Sequence, residues 1–156
     1  MARIKHSELA TQLVIEGALG VFGGKELKGQ LPVTPHVLSD REAQDVGLPP
    51  GGTVLYYPID SKGVFFDMVG SRAIVWYSGA DADRALSLFD SELKRAYPSA
   101  KQLVDTAHPD ASEMRIRAYD VKLADGMMAT VEVSYSKQGV SPPKFSAQVV
   151  AMAIKN

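Results

Sequence analysis

Apolar residues recur at helical spacing most clearly between Ser78 and Pro98. Ala82, Ala85, Leu86, Phe89, Leu93, Ala96 and Tyr97 line one side of a helix of about 3.6 residues per turn, and Asp83, Arg84, Ser87, Asp90, Ser91, Lys94 and Arg95 fall elsewhere. Ser78 followed by Asp81 has the form of a capping box, and Asp81 is itself a candidate N-cap. Aspartates at the start and Lys94–Arg95 at the end suit the helix dipole, and Pro98 stops the helix. A central helix over about 79–97 is therefore predicted. A second helix is expected from Ser7, as N-cap, to about Leu19. Leu9, Ala10, Leu13 and Val14 share one face of it, and Gly17, Gly20, Gly23 and Gly24 erode its second half. Lys25 to Pro35 reads as a polar connection. Ser39–Val46 reads as two helical turns, with Ser39 as cap, Glu42 three residues on and Gly47 as the stop.

Between these helices the period changes to two. Thr53–Ile59, Val64–Val69 and Ala73–Ser78 read as strands, joined by Asp60–Gly63 and by a two-residue hairpin at Gly70-Ser71. That register sets Phe65 opposite Trp76, Phe66 opposite Val75 and Val69 opposite Arg72. Beyond the central helix, Lys101–Ala107, Glu113–Leu123, Met127–Ser136 and Phe145–Ile154 are expected as strands, the last favoured over a short helix opening at Pro142-Pro143. A two-residue turn at Asp125-Gly126 would set Ile116 opposite Tyr135 and Ala118 opposite Val133, with Asp120 and Lys122 continuing the same face. Tyr119, Val121 and Leu123 then point the other way, so a bulge near Ala118–Tyr119 is expected to correct the face.

The reading is an α+β protein, one domain over residues 1–156. Residues 1–52 form a helical, loop-rich segment, and residues 53–156 form a curved, mostly antiparallel sheet carrying the central helix. The order from Ala73 onward (strand, helix, four antiparallel strands) is similar to the cystatin/NTF2-like class. Counted from the N-terminus, helix–three strands–helix–strands resembles small dimeric secretion-chaperone folds. Each likeness is one of element order alone, and fold does not give function.

Composition narrows the chemistry. The chain has 156 residues, enough for a core without staples, and its net charge of −1 provides no whole-protein field for nucleic acid or an anionic membrane. It contains no cysteine, which excludes disulfides, thiolate catalysis and cysteine-based metal sites. Glu16 interrupts the apolar run near the N-terminus, so neither a signal peptide nor a membrane span is expected. The expected location is cytoplasmic, or periplasmic if a leader has been removed. Gly17–Lys25 fails the phosphate-loop frame, with Leu19 and Glu26 where it needs glycine and Ser or Thr. Asp81-Ala-Asp83 has the look of a metal-holding pair, but helix capping accounts for both residues. His108-Pro-Asp110 with Glu113 matches no closed metal motif and reads as a polar turn. No metal or cofactor is expected, and the reading leans away from an enzyme.

The informative feature is three pairs of adjacent large side chains, Tyr56-Tyr57, Phe65-Phe66 and Trp76-Tyr77, which supply half of the chain's aromatic residues. Neighbours along a strand point to opposite faces, so this meander is apolar on both sides. Tyr56, Tyr57, Phe65, Phe66, Asp67, Trp76 and Tyr77 are the candidate ligand or partner surface. The leading expectation is a binding or assembly module that self-associates, as a homodimer, or docks another protein through this sheet. The alternative is a small-molecule binder or pocket enzyme of NTF2-like architecture, with a cavity lined by Trp76, Tyr57 and Phe66 and with Asp67 or His36 as its polar group.

Overall fold

The computed structural model describes residues 4–24, 34–45, 54–59, 63–123, 126–137 and 139–153. The expected turn at 60–62, the loop over 46–53 with its Gly47 stop, and most of the connection over 25–33 lie outside them. The first helix opens as α1 (His6–Gln12), widens into a π-helical stretch (Leu13–Gly20) and runs on to Phe22. Its glycines therefore widen the helix without ending it. Termination comes at Gly24, whose positive φ of 85° is the left-handed stop that glycine tolerates. Ser7 is not the N-cap: Lys5 holds that position, and the Ser7 N–H donates to Asp81 Oδ2 at 2.9 Å. The carboxylate expected to cap the central helix thus caps the first one. That removes the need for a local cap and ties the two helices together at their N-terminal ends.

After α1 come β1 (His36–Val37), α2 (Asp40–Asp45), β2 (Val54–Pro58), β3 (Gly63–Val69), β4 (Arg72–Ser78), α3 (Ala82–Ala96), β5 (Lys101–Ala107), β6 (Met114–Lys122), β7 (Met127–Ser136) and β8 (Lys144–Ala153). The fold is α+β, with one open antiparallel sheet of eight strands in the order β1-β2-β3-β4-β8-β7-β6-β5. Phe145 onward is a strand, and β1 extends the sheet into the segment expected to be helical and loop-rich. The α2 cap forms as the sequence implies: Ser39 N–H donates to Glu42 Oε1 at 3.0 Å, and Glu42 N–H to Ser39 Oγ at 3.2 Å.

The β3–β4 register is the expected one, with Phe65 opposite Trp76, Phe66 opposite Val75 and Gly70 in the turn at φ 59°. The β6–β7 register differs by one residue. Arg115 faces Tyr135, Arg117 faces Val133, Tyr119 faces Val131 and Val121 faces Ala129, without interruption. Three residues, not two, separate Leu123 from Met127, whose C=O accepts the Leu123 N–H at 2.8 Å. That register turns Tyr119 and Val121 to the core directly, so no bulge is needed there, and Asp125 of the expected turn lies outside the described residues; the irregularity lies instead in β5, between Gln102 and Val104. Burial decided the register, because a one-residue slip would expose every core side chain of the strand.

One face of the sheet packs against the helices. Tyr57, Val64, Phe66, Ala73, Val75, Tyr77, Tyr119, Val131, Phe145 and Val149 meet Leu9, Leu13, Ala85, Phe89 and Leu93 in a single buried cluster. Of the stripe predicted for α3, Ala82, Ala85, Phe89 and Leu93 are buried and Leu86 and Tyr97 half-buried, while Ala96 is exposed; the fully enclosed Phe89 ring packs edge-to-face with Tyr119, centroids 5.8 Å apart. Phe89→Ala should therefore cost about 3–5 kcal/mol, measured as a shift in urea-unfolding free energy. A near-neutral result would refute this packing.

Candidate functional site

Strand alternation splits the aromatic pairs between the two faces. Tyr57, Phe66 and Tyr77 point into the helix-covered core, and Tyr56, Phe65, Asp67 and Trp76 point to the opposite, outer face. The cavity expected from Trp76, Tyr57 and Phe66 together is therefore not assembled, since the sheet itself separates them. On the outer face, the pairings His36–Tyr56, Tyr56–Phe65 and Phe65–Trp76 line up one residue from each of four adjacent strands. The Tyr56 and Phe65 rings lie 4.8 Å apart, and Phe65 and Trp76 are 5.1 Å apart and nearly parallel, at 11°. Gly63 faces two close neighbours at one end of this row: a Cβ there would clash with the Tyr57 backbone carbonyl and come within 2.6 Å of the Tyr56 ring. All three rings are half-buried.

One end of the row opens into a groove of about 380 Å³ lined by His36, Leu38, Glu42, Asp45, Tyr56 and Phe65. The capped α2 brings Glu42 and Asp45 to the groove, and β1 brings His36, whose Nε2 lies 3.3 Å from Glu42 Oε2. The Ser39 backbone N–H first, then the Ser39 side chain and His36, hold the Glu42 carboxyl below its usual range. Aromatic faces with carboxylates at their rim can stack planar groups and attract cations. Asp67 shares the outer face between Val54 and Ile74, and its Oδ1 is buried with no hydrogen-bond partner among the described residues. Leu38, Glu42 and Asp45 were missing from the sequence-level surface. The Ser39–Glu42 capping box was the signal for them, since it marks a helix whose acids must face somewhere.

A second polar cluster lies on the helix side of the sheet. Alternation puts Arg115, Arg117 and Tyr119 on one face of β6, next to Asp105 of β5. Arg115 donates to Asp105 Oδ1 at 3.0 Å and Arg117 to Asp105 Oδ2 at 2.7 Å, and Tyr135 OH donates to the same carboxylate at 2.8 Å. Tyr119 OH donates to Asp90 Oδ1 at 2.8 Å, and Lys94 pairs with Asp90 at 2.9 Å. Burial raises the Tyr119 phenol first and the Asp90 bond adds to it, against Arg117, which brings it to about 12. These donors and acceptors satisfy one another, so the cluster reads as a brace between α3 and the β5–β6 edge. Among the described residues no three His, Asp or Glu side chains are grouped to hold a metal, and His108 Nδ1 accepts the Asp110 N–H within its own turn. No helix of these residues is long and apolar enough to cross a membrane. Comparison with protein-family models, with curated proteins and with solved structures finds no match to this chain.

The brace sets an acid dependence. Burial raises the Asp105 carboxyl, but hydrogen bonds from Tyr135, Arg117 and Arg115 outweigh it and hold the group below the usual range. Asp90 is likewise lowered overall, by Lys94 and Tyr119 against burial. Both groups therefore add stability that is complete above the unfolded carboxylate value of about 3.9 and is lost as pH falls through the lower folded values. Asp105→Asn should flatten the fall in thermal midpoint on acidification below about pH 4. An acid limb identical to that of the parent chain would remove this role.

Proposed function

We propose that this chain is a non-enzymatic binding module that docks a protein partner, a second copy or another chain, on the outer face of its sheet. The observation that carries this reading is the half-buried Tyr56–Phe65–Trp76 row, which lies on the side of the sheet away from α1 and α3. Buried strands need large side chains on their core face, but the core does not account for three adjacent rings on the other. Tyr and Trp suit a surface that is alternately wet and covered, because each joins a large apolar body to a polar tip. The element order supports the secretion-chaperone-like likeness over the cystatin/NTF2-like one. Helix and strands come twice, with both helices on one face, whereas the NTF2-like reading has a sheet curled around one helix.

A small-molecule reading draws on the groove beside His36 and Glu42. Its size, about 380 Å³, is at the lower end of ligand pockets, which run from about 300 Å³ upward. The docking reading accounts for the whole row, and the pocket reading for one end of it.

Sedimentation velocity over a wide concentration range tests the docking reading. The parent chain is expected to self-associate, and Phe65→Ser/Trp76→Ala to sediment as a folded monomer with unchanged far-ultraviolet circular dichroism. A parent chain that stays monomeric, and whose single tryptophan keeps the same emission with every protein it is co-purified with, would overturn the proposal.

A further inference from the structure

We infer that the groove between α2 and the Tyr56–Phe65 rings receives an arginine or lysine side chain from a basic segment of the docked protein. This deepens the docking reading and rests on it. The argument is charge complementarity over an aromatic floor. The α2 segment carries Asp40, Glu42 and Asp45 against one cation, Arg41, a net charge of −2 in a chain whose total is only −1. The acidity is thus local. Two of those acids, Glu42 and Asp45, line the groove, and Arg41 does not.

The groove is lined besides by the Tyr56 ring, by Phe65, which is packed between Tyr56 and Trp76, and by Leu38 as an apolar side wall. An aromatic face attracts a cation through its quadrupole, and an adjacent carboxylate satisfies the cation's N–H donors, so the two together select a guanidinium or ammonium group. An anionic partner would meet like charge at the rim, which costs affinity and slows encounter. A protein segment is favoured over a free amine because the aromatic row continues beyond the groove to Trp76. A chain entering the groove with its basic side chain can lay its neighbouring residues along that row.

Fluorescence anisotropy with labelled hexa-arginine as the probe tests this, with hexa-glutamate and free arginine amide as comparisons. Hexa-arginine should bind, weaken as salt is added, and lose about tenfold or more in affinity in Glu42→Gln/Asp45→Asn, since the lost carboxylates face the cation directly. Glutamine at position 42 keeps the capping box, so α2 remains formed. Phe65→Leu should also weaken binding, because it keeps the apolar floor and removes the ring. Glu8→Gln/Glu16→Gln, on the helix side of the molecule, should leave binding unchanged. Equal binding of hexa-glutamate, or equal losses in the helix-side variant, would overturn the inference. Arginine amide binding as tightly as the peptide would overturn the protein-segment part of it. If Glu42→Gln/Asp45→Asn binds hexa-arginine normally while Phe65→Ser/Trp76→Ala still abolishes self-association, the cation inference falls and the docking reading stands.

Discussion

The pairing of β4 with β8 holds the molecule together. Arg72 to Ser78 run antiparallel to Val150 to Lys144, joining residues that lie far apart in sequence. Each half of the chain supplies a helix followed by an antiparallel run of strands, and the last strand of each half meets the other at the middle of the sheet. Without this ladder β4 and β8 would both be open edges carrying unpaired backbone groups and the most apolar rows of the protein. With it, Val75 meets Ala147, Tyr77 meets Phe145 and Ala73 meets Val149 under the two helices. The Ser7–Asp81 bond then fixes α1 to the start of α3 directly above that seam. Closing the ladder requires ordering most of the chain first, so its entropy cost falls late and its stabilisation is shared by both halves.

The same seam explains why the strands of the meander are apolar on both sides. A strand near the middle of a sheet needs a full core face, which Tyr57, Phe66 and Tyr77 provide. It does not need three large rings on its other face. That excess, and not the count of aromatic residues as such, is what the proposed docking role of Tyr56, Phe65 and Trp76 rests on.

Much of this was legible in the sequence where the signal is local. The α3 stripe, the Ser39–Glu42 box and the Gly70-Ser71 hairpin each lie within a few residues, and each formed as read, apart from the Asp81 side chain that a distant helix recruited. The register after Asp125-Gly126 was not legible. Two-residue and three-residue loops fit the same dipeptide, and the choice depended on which of Ala118 and Tyr119 the α3 helix needed opposite Phe89. The π-helical widening over Leu13–Gly20 left no distinct trace, because its apolar spacing also suits an ordinary helix. Phe66 and Trp76 could be placed opposite Val75 and Phe65 but not on a named face, since alternation gives the split between faces and only the helices decide which side is covered. The groove was hidden for the same reason: His36 read as loop, and joining it to Glu42 and Tyr56 requires the β1–β2 pairing.

The proposed docking surface is also bounded where the row of rings stops. Beyond Trp76 the same line across the sheet continues through Ser146 and Ser134, and the next line passes from Ile74 to Gln148 and Glu132. Along these two lines the outer face turns polar on crossing the β4–β8 seam. An apolar strip running across all eight strands would invite indiscriminate sheet-to-sheet stacking. In the proposed docking, this strip, bordered at its far end by Glu42 and Asp45, calls for a partner that matches both its apolar length and its acidic end. Shape and charge would then act on one partner together: the rings supply the area to be buried, and the carboxylates impose a penalty on any occupant of the wrong sign.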